Sequence, residues 1–117
     1  MMRAIASIVA FSLLAACSGD QATKNRDALG ASQTVLAAAQ TGALAYRARN
    51  PCPSRMLVCR DATTYAEIQR IDRVAVEANN AAYAALKRDP AAPSTKFLID
   101  TAINAINGYD ARVKEAK

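Results

Sequence analysis

Histidine and tryptophan are absent from this chain of 117 residues, which holds only three Cys, four Gly and four Pro. Without histidine, the commonest metal ligand and the usual general base near neutral pH are both missing. There is no Gly-rich phosphate loop, and Ser and Thr are scattered without a partner base. The carboxylates Asp72, Glu77, Asp100 and Asp110 stand one at a time, each near a basic residue or Asn, as on solvated helix faces. We therefore expect no catalysis, no cofactor and no metal. The chain is basic overall, with 15 Lys+Arg against 10 Asp+Glu. That excess is modest and lacks interleaved aromatics, so nucleic acid is not an expected partner.

What is abundant is alanine, at 28 residues. Ala-rich, Gly-poor and Pro-poor composition with few β-branched residues predicts an all-α fold, and the length allows one domain. The N-terminus is patterned differently. Met1-Met2-Arg3 is a short positive head, followed by the apolar run Ala4–Leu14, broken only by Ser7 and Ser12. Eleven residues are too few to span a bilayer core, which needs about twenty. The run fits the h-region of a secretory signal, and the small residues of Leu14-Ala15-Ala16-Cys17 close it.

In that order of head, run, small residues and Cys, residues 1–17 resemble a bacterial lipoprotein signal, with Leu14-Ala15-Ala16-Cys17 as its lipobox. The resemblance implies cleavage before Cys17 and acylation of Cys17, hence a membrane anchor. Several acyl chains at about 0.8 kcal/mol per buried methylene hold far more firmly than one. Ser18 does not match the Asp that retains such proteins in the inner membrane, so the periplasmic face of the outer membrane is implied. The expected organisation is a signal peptide at 1–16, a lipidated tether at 17–22 and a helical domain at 23–117.

With Cys17 assigned to lipid, Cys52 and Cys59 remain. An even remainder in a secreted chain reads as a disulfide. No Cys-x-x-Cys spacing supports a redox role, and two thiolates without His make a poor zinc site.

Three helical stretches are predicted, at about 23–49, 62–88 and 95–115, packed as a small antiparallel three-helix bundle. In the first, Leu29, Leu36 and Leu44 share a stripe with Val35, Ala39 and Ala43. Gly30 and Gly42 either weaken that helix, by up to ~1 kcal/mol each, or mark close packing. In the second, capped by Asp61 or started by Thr64 and Glu67, the seam runs Ile68, Ile71, Ala75, Ala78, Ala82, Ala85. In the third, with Ser94 as N-cap, the stripe is Leu98, Ala102, Ile106, Tyr109, Val113, beside Phe97, Ile99 and Ile103. Asn107-Gly108 is its weak point, and we expect the helix to continue past it because Tyr109 and Val113 keep the phase.

Between Ala28 and Arg60 there is no acid, while Arg47, Arg49, Arg55 and Arg60 all fall there, around the two Cys. On an upright bundle anchored at Cys17, these arginines would stand at the end away from the lipid. Such a cluster suits carboxylates, as on peptidoglycan or an acidic envelope protein. The mature chain also resembles, in texture, small Ala-rich lipoproteins of phage and prophage gene sets. The lipobox, the two-Cys segment and Ile71-Asp72…Asn79-Asn80-Ala81-Ala82-Tyr83-Ala84-Ala85-Leu86 carry that likeness. It implies the alternative of superinfection exclusion or lysis assistance. Outer-membrane spanin subunits, by contrast, are short and Pro-rich, which this chain is not.

Overall fold

The computed structural model describes residues 2–53 and 58–116, with side chains from residue 20 onward within those ranges. It contains three helices, α1 (Met2–Arg47), α2 (Ala62–Arg88) and α3 (Pro93–Glu115), packed as an all-α three-helix bundle. No helix among the described residues is long and apolar enough to cross a membrane.

The bounds of α2 follow from local chemistry. Asp61 is extended and its carboxylate accepts from the Thr64 amide at 2.9 Å, satisfying a helix N-terminal donor. Asp89 ends the helix, Pro90 cannot continue it, and Lys87 and Arg88 sit at the negative end of its dipole. Thr64 and Glu67 form no capping box: Glu67 instead reaches Arg112 of α3 at 3.2 Å. α3 starts two residues before the expected Thr95, with Ala92 at the cap and Pro93 in the first turn, so Ser94 is not the cap. Proline suits that place because its missing N–H would have had no helical partner. Thr95 is buried, and its hydroxyl donates to the Asp89 carbonyl at 2.6 Å, tying the start of α3 to the end of α2. α3 runs through Asn107 and Gly108 as expected.

α1 departs most from expectation. The residues read as a tether, including Asp20–Ala22, belong to the helix, which ends at Arg47 and not Arg49. An Asp20–Lys24 pair at 2.9 Å and a Gln21–Asn25 hydrogen bond at 2.9 Å, both at i,i+4 spacing, carry the helix through that segment.

The core is a heptad seam. Asn25, Leu29, Ser32, Leu36, Ala39 and Tyr46 are buried along α1, with Ala43 partly so; Thr95, Ile99, Ala102, Ile106, Tyr109 and Val113 are buried along α3. The steps alternate four and three, as in coiled coils. α2 contributes Ile68, Ala75, Ala82 and Ala85. Leu44, expected in the core, is 55% exposed because Tyr46 takes the inward position, and Phe97 is likewise out in solvent. α3 packs along both other helices, while α1 and α2 touch each other least. The ends are marked by two long-range bonds. Asn25 Nδ2 donates to the Pro90 carbonyl at 2.8 Å, and Arg49 Nη1 donates to the Ala116 carbonyl at 2.8 Å. The α2–α3 turn therefore lies beside residue 25, and the end of α3 lies beside the α1–α2 connection.

The two α1 glycines separate cleanly. A Cβ on Gly42 would stand 2.6 Å from Val113 Cγ1, whereas one on Gly30 meets nothing within 4 Å. Gly30→Ala should thus stabilise the bundle by about 0.5–1 kcal/mol through helix propensity. Gly42→Ala should cost about 1 kcal/mol net, as overpacking against buried Val113 outweighs the same gain. Urea midpoints of the two variants, moving in opposite directions, check this.

Candidate functional site

The α1–α2 connection is closed by a disulfide between Cys52 and Cys59, with Cα atoms 5.3 Å apart, as expected. Backbone bonds clamp the neck of the loop: Cys52 N–H to the Arg60 carbonyl at 3.0 Å and Arg60 N–H to the Asn50 carbonyl at 2.8 Å. The Tyr46 hydroxyl accepts from the Asp61 amide at 2.8 Å, joining the last turn of α1 to the cap of α2.

The four arginines expected here have different surroundings. Arg60 donates through Nη1 to the Arg47 carbonyl at 2.7 Å, capping the end of α1, and lies 5.4 Å over the Tyr65 ring. Arg49, besides its bond to Ala116, lies 4.8 Å over the Tyr46 ring. Both guanidiniums are therefore tied into the bundle. The Arg47 side chain is exposed and forms no ion pair among the described residues. Arg55 lies outside the described residues, and so does the side chain of Cys17.

Next to the disulfide, the loose α1–α2 seam opens into a groove of about 440 Å³. Residues 40, 43, 44 and 47 form the α1 wall; residues 65, 68, 69, 72 and 73 form the α2 wall. Tyr109 of α3 is the floor. Asp72, expected on a solvated face, is half-buried here: its Oδ1 accepts from Gln40 Nε2 at 3.3 Å, and it hydrogen-bonds the Tyr109 hydroxyl. Burial raises the Tyr109 phenol well above its ordinary value, and the adjacent Asp72 charge and hydrogen bond add to the shift. Gln40, Gln69, Asp72 and Arg73 were not expected at a site. Their i,i+3 and i,i+4 spacing was readable, but which flank of the seam stays open depends on how the helices splay.

Across the bundle, Arg112 joins Glu67 at 3.2 Å and Glu115 at 3.8 Å. The Arg112 hydrogen bond, with its charge, lowers the Glu67 carboxyl below its usual range; the Thr64 amide does the same for Asp61. Both carboxylates bind protons less readily folded than unfolded. Their contribution is present above the ordinary values of 4.5 and 3.8 and is lost as pH falls below them. Glu67→Gln combined with Asp61→Asn should flatten the acid limb of the stability–pH curve, which denaturant titrations from neutral to acid pH would read.

Among the described residues, no three His, Cys, Asp or Glu side chains gather as metal ligands would. No family model, curated protein or solved structure matches this chain.

Proposed function

We propose that this chain is a non-catalytic lipoprotein, anchored through Cys17 to the periplasmic face of the outer membrane, with its disulfide-closed end contacting an envelope partner. The observation that carries the reading is the ordered N-terminal pattern: Met1-Met2-Arg3, the short apolar run, then Leu14-Ala15-Ala16-Cys17. The Cys52–Cys59 bond supports it, since disulfides persist in oxidising compartments such as the periplasm. The antiparallel layout supports it too, because α1 leads from the anchor side to the disulfide side.

The partner favoured by chemistry is peptidoglycan, whose carboxylates suit a basic, acid-free segment. An acidic envelope protein is the same reading with a different occupant. The mature chain has 14 basic and 10 acidic residues once Arg3 is removed with the signal.

Two measurements test the reading. Cys17→Ser should leave the precursor uncleaved and unlabelled by radioactive palmitate; normal processing of that variant would defeat the anchor. Purified sacculi should retain the wild-type protein and release most of an Arg47→Glu, Arg55→Glu double variant. Arg60→Glu is unsuitable as a control, because its loss uncaps α1.

A further inference from the structure

The α1–α2 groove combines three properties. Its walls carry two cations on opposite helices, Arg47 and Arg73, and neither forms an ion pair among the described residues. Several other basic groups do have partners, although Arg26, Arg70 and Arg88 also form no ion pair among the described residues. Lys24, Lys96, Lys114 and Arg112 hold carboxylates, while Arg49 and Arg60 hold carbonyls. The rest of the lining is mixed: exposed Leu44, Ala43 and buried Ile68 are apolar, while Gln40, Gln69 and the carboxylate of Asp72 are polar. The floor is polar but already satisfied, because Gln40 and Tyr109 hold Asp72.

At about 440 Å³ the groove suits a small ligand or a few residues of peptide. Two guanidiniums lining one groove favour a carboxylate through charge-assisted, forked hydrogen bonds and outweigh the single Asp72 carboxylate in charge. Exposed Leu44 favours a small apolar side chain beside that carboxylate, and a uniformly acidic occupant would leave Leu44 uncovered. A short peptide ending in alanine with a free carboxylate has this chemistry.

We propose that the groove binds the alanine-terminated, free-carboxylate end of a peptidoglycan stem peptide, held between Arg47 and Arg73. The identity of that peptide rests on the envelope reading above; the preference for a terminal carboxylate rests on the groove alone.

The test uses the processed protein in mild detergent, nitrogen-labelled for amide spectra and titrated with a synthetic stem pentapeptide ending in D-Ala-D-Ala. Saturable shifts are expected at groove positions such as Leu44, Gln69 and Arg73. Amidating the peptide's C-terminus should weaken binding roughly tenfold or more, as should Arg47→Ala combined with Arg73→Ala. Both arginines are exposed, and their side chains hold no other element, so the variant should keep the parent spectrum elsewhere. Equal affinity of the acid and amide, or of the variant and parent, would overturn the proposal. So would groove shifts that appear with an oligoglutamate peptide and not with the stem peptide, a result that would assign the groove to an acidic protein segment. Should the free peptide bind while intact sacculi do not, the groove stands and the peptidoglycan reading falls. Retention of parent and groove variant alike by sacculi, with no peptide shifts, has the reverse meaning.

Discussion

Ala75→Leu should destabilise the bundle by about 3 kcal/mol or more, the upper end of what overpacking costs. Ala75 is fully buried, in the same cluster as Leu36, Ile68, Ile106 and Tyr109. Three extra carbons there have no vacant volume to enter, since interiors are packed at near-crystal density. The change can be accommodated only by pushing α2 off α3, which would also strain the Glu67–Arg112 pair that links them. For a domain of this size each kcal/mol moves the thermal midpoint by about 4–8 °C, so a fall of roughly 12–24 °C is expected by circular dichroism. Ala81→Leu, on the exposed face of the same helix, should shift the midpoint little. A buried-site variant as stable as its exposed control would mean that the alanine seam is not tightly packed.

The second large effect is removal of the disulfide. Cys52→Ser with Cys59→Ser should cost about 2.5 kcal/mol, the closure entropy of an eight-residue ring. The effect should be mostly thermodynamic and not a change of fold. Arg60 still caps α1, and the Tyr46 hydroxyl still meets the Asp61 amide, so the ends of α1 and α2 remain joined without the sulfur bridge. Denaturant unfolding of oxidised and reduced wild type should bracket the same difference. If the reduced protein matched the oxidised one in midpoint, the loop would be held by its backbone and side-chain bonds alone.

Those two sites also show how far sequence reasoning reaches. The pairing of Cys52 with Cys59 was readable by elimination once one Cys was assigned elsewhere. The limits of α2 were readable because Asp61 and Asp89-Pro90 are chemical punctuation at its two ends. The inward face of α2 was readable because Ile68, Ala75 and Ala82 repeat every seven residues. Elsewhere alanine blurred the phase. Along α1, a stripe through Leu44 and a stripe through Tyr46 bury similar apolar area, and only tertiary packing selects Tyr46, whose hydroxyl then finds the Asp61 amide. The start of α1 was hidden for a different reason. No cap or proline separates residues 15–22, so a tether and a helix read alike there. The groove was least readable. It lies along the α1–α2 seam, where those two helices touch least, and how closely two helices approach is a property of three packed seams that no single one encodes.

Asn25 has a further consequence. A seam that repeats every seven residues would let α1 slide by one repeat along its neighbours with little loss of apolar contact. One heptad on, the inward side chain is Ser32, whose hydroxyl already donates to its own helix at the Leu29 carbonyl and is too short to replace an amide. Only with Asn25 opposite the Pro90 carbonyl is that buried amide satisfied. One polar contact near the open end of the bundle thereby acts as an alignment pin, holding in register the helices whose far ends carry the arginines.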